Sequence, residues 1–334
     1  MKKIINVLLV IIAVASLAAC IFFVSFKAPV QENITWGVDF SQMQAEAMKL
    51  DWKETYLAIL EDLGVKHIKL HTQWDWVEGK KDEFYFKDID WQIKETKKRG
   101  ADMIYVLGMK TGRWPECHIP VWAEGLSKEE QQGELLEYIE KIVLRYKDSG
   151  VIVAWQAENE PFFVFGECPW YDKEFLKKEV ALIKKLDPSR PVIISDSGEQ
   201  SLWFGAARLG DVVGTTMYRK VWVHLAKDIG FYFTFPLPPA SYWVKAQLVE
   251  ALFGKKVIGV ELQAEPWNSK VFYNVPLAEQ EKSMNIAQFN KNIAYAKQSG
   301  LDTFYFWGVE WWYWLKEKHD KPEIWNEAKK LFIQ

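Results

Sequence analysis

Short apolar runs of five to seven residues recur along the chain, each followed by a loop and then by apolar residues at helical spacing. The runs fall at 34–40, 66–71, 102–107, 151–155, 191–195, 211–217, 256–261 and 302–307. Between them lie amphipathic patterns such as Tyr56, Ile59, Leu60 and Leu63, then Leu135, Leu136, Ile139, Ile142 and Val143, then Leu176, Val180 and Ile183. Ser127 with Glu130 has the spacing of a capping box. Gly64, Gly100, Gly150 and Gly300 close helical stretches shortly before a run resumes. Eight strand–helix units in about 300 residues predict a single α/β domain, a closed (β/α)8 barrel over 31–334, rather than an open doubly wound sheet. No Gly-x-Gly-x-x-Gly follows a run, which argues against a dinucleotide-binding fold. In such a barrel, reactive groups belong at the C-terminal ends of the strands.

Residues 1–30 read differently. Lys2 and Lys3 precede an apolar stretch over 4–26 that is long enough for an anchor helix across a bilayer. Leu17-Ala18-Ala19-Cys20 has the form of a lipobox, so lipidation at Cys20 competes with an uncleaved signal anchor and with a cleaved secretory signal. Each alternative places the barrel outside the cytoplasm, tethered to the membrane through residues 4–26 unless the segment is removed. Two cysteines remain downstream, Cys117 and Cys168, each in a segment after a barrel strand. An oxidising compartment favours a disulfide between those loops over two free thiols.

Composition narrows the partners. Forty-two basic side chains against 45 acidic ones leave a formal charge of -3, which offers no electrostatic basis for binding nucleic acid. The five histidines, at 67, 71, 118, 224 and 319, make no zinc-type spacing with the cysteines, and nothing calls for a metal or organic cofactor. Aromatic residues make up 15% of the chain, and 18 of them are Trp, a composition suited to stacking on the C–H faces of sugars as well as to core packing.

Two of the runs end in glutamate. Ala157-Glu158-Asn159-Glu160-Pro161 closes the fourth, and Val260-Glu261-Leu262-Gln263-Ala264-Glu265 closes the seventh. Two carboxyl groups facing one cleft separate their titrations through burial and mutual repulsion, leaving one protonated and one ionised. Glycosidic cleavage needs that division: an acid for the departing oxygen and a carboxylate for the anomeric carbon.

On these residues the chain resembles the retaining glycoside hydrolases of clan A, the cellulase-like and beta-galactosidase-like barrels. Asn159-Glu160-Pro161 is similar to their fourth-strand acid/base motif, and Glu261 to their seventh-strand nucleophile. The resemblance implies that Glu160 is the acid/base, Glu261 the nucleophile, and no cofactor is required. It further implies that Asn159 donates to a sugar hydroxyl, Tyr218 orients the nucleophile, and Trp307 floors the sugar subsite. The stretch from 67 to 90, with Trp74, Trp76, Glu78-Gly79 and Phe84-Tyr85-Phe86, resembles the second-strand region of such enzymes and brings Trp74 forward as a substrate contact. The pattern departs at Lys69, where many members carry arginine; lysine keeps the charge but lacks the planar fork. Lys69 and His71 are therefore read either as polar groups of the cleft or as a satisfied structural pair. Glu158 is the rival to Glu160. Glu265 is the rival to Glu261, with sugar contact or support behind the cleft as its other reading.

The resemblance leads to an expected substrate, a beta-linked oligo- or polysaccharide cleaved with retention. A transglycosidase and a non-catalytic carbohydrate-binding barrel are the alternatives. Two segments stay open. The apolar stretch from 221 to 252, with Phe231-Tyr232-Phe233-Thr234-Phe235, either walls the cleft, rests on a membrane surface or is simply buried, and Trp311, Trp312 and Trp314 form either stacking platforms or a hydrophobic plug.

Overall fold

The computed structural model describes residues 27–226 and 229–333. The barrel strands are β1 (Thr35–Ser41), β2 (His67–His71), β3 (Asp102–Leu107), β4 (Ile152–Ala157), β5 (Val192–Asp196) and β6 (Val212–Met217), and after a hairpin of β7 (Lys220–Ala226) and β8 (Ile229–Thr234) come β9 (Lys256–Gln263) and β10 (Thr303–Trp307). Each of the eight apolar runs becomes a barrel strand. They pair in parallel in the closed order β1-β10-β9-β6-β5-β4-β3-β2.

Helices on the outside bury the large core. The longest of them, Lys128–Tyr146, starts at Ser127, whose hydroxyl accepts from the Glu130 amide while the Glu130 carboxylate accepts from the Ser127 amide. This reciprocal cap satisfies two donors that the first turn would otherwise leave open and contributes about 1 kcal/mol. A smaller cluster of Ile104, Ala154, Ile193, Ile258, Val260 and Tyr305 fills the barrel axis. Asp39, Lys69, Ile104 and Ala154 are in register across β1 to β4, so two charged side chains stand at the same interior level as two apolar ones.

A register shift on β9 bears on the site. Thr215 of β6 pairs with Gly259, but Thr216 pairs with Glu261, leaving Val260 as an extra residue. Strict alternation would turn Glu261 away from the side that Val260 faces. The bulge breaks that alternation, and residue 261 reaches the barrel mouth.

The aromatic stretch after β6 is the antiparallel hairpin β7–β8, with Val221 opposite Phe233 and Trp222 opposite Tyr232. Trp311 and Trp312 are fully buried, their indoles donating to the Gln280 side chain and the Ala264 carbonyl, so they belong to a plug rather than to stacking platforms. No helix among the described residues is long and apolar enough to cross a membrane, and the anchor expected over 4–26 lies outside them.

Candidate active site

The C-terminal ends of β4, β5, β6, β9 and β10 surround a cleft of about 150 Å³, with the hairpin on one side; Glu160, Glu261, Asn159, Tyr218 and Trp307 all line it. β4 ends in two left-handed residues, Glu158 at φ 58° and Glu160 at φ 44°, each costing on the order of 1 kcal/mol or more for a residue with a Cβ. This kinked backbone turns the two glutamates to different surroundings. The Glu158 oxygens accept from the Met109 and Lys110 amides, at 2.9 and 2.5 Å, and meet the buried Glu179 carboxyl. Glu158 thus ties the end of β3 to the end of β4 and faces away from the cleft.

Glu160 faces into it. Its amide donates to Ser195 Oγ at 2.8 Å, and its Oε1 accepts from Thr216 Oγ1 at 3.0 Å. Thr216 Oγ1 in turn accepts from the Gly198 amide, and the approach is so close that a Cβ at 198 would stand 1.8 Å from the Thr216 carbonyl. Only glycine fits there. Burial, reinforced by the negative charge of Glu261, raises the Glu160 carboxyl well above the ordinary range, so it holds a proton.

Glu261 has different neighbours. Its Oε2 accepts from the Tyr218 hydroxyl at 2.7 Å, and its Oε1 lies 3.3 Å from Lys69 Nζ. Lys69 also lies 2.9 Å from Asp39 Oδ1 and donates to the Val260 carbonyl at 3.3 Å. Burial works against the ammonium, but Asp39 and Glu261 outweigh it, so Lys69 stays charged. His71 sits beyond Asp39. Its Nδ1 faces the Thr111 carbonyl at 2.5 Å and its Nε2 faces Asp39 Oδ1 at 2.7 Å. Burial, with Lys69 adding to it, lowers the imidazole well below its usual range, while burial pushes Asp39 up to about 6. Lys69 and His71 therefore form a buried network beneath the cleft.

Glu265 also lies beneath. It accepts from Trp307 Nε1 at 2.8 Å and from the Arg113 guanidinium, which also donates to Glu310 at 3.0 Å. The Arg113 guanidinium lies 4.0 Å from the Trp307 ring centroid. Glu265 thus fixes the ring from below. Trp74 is not in the cleft: it is fully buried, donates to Glu78 at 2.8 Å and packs on Trp122 and Tyr138. Its place at the first turn of a short helix, Trp74–Val77, aims it at the outer core.

Several groups in and under the cleft escaped the sequence reading. Glu116 lines the cleft, is bonded by the Asn159 side chain, and is pushed up to about 7 by burial, with Glu261 adding to the effect. Asp39 carried one usable signal, a lone charge inside an apolar run. Arg113 and Glu116 carried only their position after the third strand. Cys117 and Cys168 are joined in a disulfide with Cα atoms 5.2 Å apart, tying the loop of Arg113 and Glu116 to the loop after Glu160. Of the 221–252 stretch, Val221, Trp222 and Phe235 line the cleft. The hairpin is held there by Gln263, which accepts from the Arg219 and Lys220 amides at 2.8 and 2.9 Å. No group of His, Cys, Asp and Glu among the described residues is arranged to hold a metal ion.

No family model and no curated protein matches the chain in sequence. Its barrel is similar to solved structures at low identity. One is a polyextremophilic beta-galactosidase from the Antarctic haloarchaeon Halorubrum lacusprofundi, with TM-score 0.55 and 14% identity over 82% of this chain. The chain spans only about half of that protein, 52% of its length. A second is GH5_18 from Streptomyces cattleya in complex with GlcNAc, with TM-score 0.56 and 13% identity over 82% of this chain and 70% of that one. A third is a glycosylated endo-beta-1,4-xylanase of glycoside hydrolase family 10 from Gloeophyllum trabeum, with TM-score 0.56 and 16% identity over 86% of this chain and 87% of that one. At these identities the likeness is one of fold.

Proposed function

We propose that the protein is a retaining glycoside hydrolase acting on a beta-linked oligo- or polysaccharide, with Glu160 as acid/base and Glu261 as nucleophile. One observation carries the reading: two glutamates from β4 and β9 line the same cleft, one raised by burial and holding its proton, the other accepting hydrogen bonds on both oxygens from Tyr218 and Lys69. The barrels it is similar to include a beta-galactosidase and a xylanase, which supports the reaction class.

In the first step the Glu160 carboxyl gives its proton to the glycosidic oxygen as the bond to the anomeric carbon breaks, and Glu261 forms an ester with that carbon. The aglycone leaves as an alcohol. In the second step the Glu160 carboxylate takes a proton from water, whose oxygen attacks the anomeric carbon and releases Glu261. Two inversions give retention. Trp307, held by Glu265 and stacked on Arg113, supplies an apolar floor for the sugar ring. Asn159, fixed by Gln156 at 3.2 Å through its oxygen, keeps its amide nitrogen for Glu116 and a sugar hydroxyl.

Residues 4–26 and a disulfide between loops support an extracytoplasmic placement. The apolar wall of Phe163, Phe165, Trp222, Phe235 and Trp267 favours transglycosylation as a second reading, because it would seat an acceptor sugar in place of water. Product analysis with and without added oligosaccharide separates the two.

The assignment is tested by Glu261→Ala. Turnover of an aryl glycoside should fall by about five orders of magnitude, and azide should restore cleavage while yielding a glycosyl azide of inverted configuration. Unchanged activity in that variant eliminates the nucleophile. Glu160→Ala should retain cleavage of activated leaving groups far better than of unactivated ones, since only the latter need the proton.

A further inference from the structure

A second groove lies outside the catalytic cleft, between the loops that follow β1 and β2. It measures about 420 Å³, within the range of small-molecule sites. Two large aromatic side chains stand open on its wall, Trp76 at 38% and Tyr85 at 49% exposure. Beside them is an amide and carboxylate network, which the Tyr85 hydroxyl joins through Asp88. Gln42 Nε2 donates to Glu46 Oε1 and Asp88 Oδ2, both at 3.0 Å, and Gln42 Oε1 accepts from Gln92 Nε2 at 3.3 Å.

The polar side of the groove is incomplete. Gln73 lines it, is only 2% exposed, and its Nε2 has no hydrogen-bond partner. A buried amide left in this state is unfavourable, and a ligand hydroxyl would relieve it. Local structure holds the residue in place: the Gln73 carbonyl accepts from the Trp76 and Val77 amides, and the Tyr85 amide donates to the Val77 carbonyl at 2.8 Å. The donor and both rings are thus set on one short folded segment.

We infer that this groove is a second carbohydrate site, binding a neutral pyranose unit of an oligosaccharide. Flat rings meet the C–H face of a sugar, while Gln73 donates to a hydroxyl and Asp88 and Glu46 accept from others. No Lys or Arg lines the groove, and its two carboxylates repel uronates and other anions. The His71 ring, edge-on to Trp307 at 5.1 Å, separates the groove from the catalytic cleft. The inference stands apart from the catalytic assignment, because it concerns binding on residues with no part in bond cleavage.

The test is calorimetric titration of the full-length Glu261→Gln protein with cellohexaose, mannohexaose and xylohexaose. At least one hexaose should bind at two sites per chain. Adding Trp76→Ala with Tyr85→Ala should remove one of them, weakening it by about tenfold or more. Gln73→Leu should weaken the same site severalfold without lowering the melting temperature. In protein with Glu261 intact, the double aromatic variant should turn over a small aryl glycoside normally. Two undiminished sites in both variants, or no binding of any hexaose by the parent, overturns the inference. Hexaose binding by the Glu261→Gln protein, with no glycoside cleaved by the protein that keeps Glu261, refutes the glycosidase reading and leaves the groove standing.

Discussion

In the proposed double displacement Glu116 has no step of its own, yet it lines the cleft together with the two glutamates assigned to the reaction. Its negative charge helps to hold the proton on Glu160, after burial and Glu261. Pushed up to about 7 itself, it ionises in the range where an acid catalyst begins to fail. On the proposed mechanism it is a positioning residue for that proton. Glu116→Gln removes the charge and keeps the amide-sized contact to Asn159, so the alkaline limb of kcat/KM should move to lower pH, with a loss at pH 8 on the order of threefold to tenfold and little change at pH 5.5. A pH profile on a substrate with a poor leaving group reads this, and an unmoved alkaline limb would reduce Glu116 to a structural partner of Asn159. The sequence could not single it out. Glu160 and Glu261 were legible because each ends an apolar run, where barrel geometry gives position a meaning. Glu116 sits in a loop whose path depends on the Arg113 contacts to Glu265 and Glu310, from residues far along the chain.

At the level of elements, the eight barrel strands were readable from their apolar runs, since a parallel strand buried on both faces is apolar nearly throughout. The hairpin was not read as strands. Its Val221-Trp222-Val223 and Phe231-Tyr232-Phe233 segments are β-branched and aromatic, as strands are, but they lie outside the repeat of run, loop and helix that marks the barrel. What fixes the cleft walls is cross-linking between loops. Glu158 joins β3 to β4 through two backbone amides, and Cys117–Cys168 closes a span of 51 residues between the following loops. By chain entropy such a closure is worth about 4 kcal/mol. Replacing both cysteines by serine should therefore lower the melting temperature by roughly 5–10 °C and, because Arg113 and Glu116 ride on the same loop, lower kcat as well. Scanning calorimetry and steady-state kinetics on the double variant test both parts, and a variant as active and stable as the parent would show that the loops are held by their other contacts.

Across the whole molecule, the buried acids beneath and around the barrel mouth set how stability responds to pH. Burial pushes Glu116, Glu199 and Glu265 each up to about 7 and Asp39 up to about 6. In the unfolded chain these groups lose their protons near pH 4–4.5, so between there and pH 7 the folded state binds more protons and stability falls as pH rises. His71 and His118 pull the other way. Burial keeps both neutral, so they destabilise the fold only below about pH 6.5, where the unfolded imidazoles take up protons. Asp187, lowered to about 2, matters only at far lower pH. From pH 6.5 to 8 the carboxyls act almost alone. Three groups near 7 releasing their protons over that interval remove about 2 kcal/mol, a fall in melting temperature of about 4 °C. Above pH 8 Lys245, which burial lowers to about 8 and which the unfolded chain still protonates, contributes in the opposite sense. Thermal melts at half-unit steps should then show a decline from pH 6.5 to 8, and Glu265→Gln, which retains acceptance from Arg113 and Trp307, should make that decline shallower. A melting temperature that stays level or climbs over this interval would mean that these carboxyls are already ionised in the folded protein, and that the network under Trp307 is one of full charges.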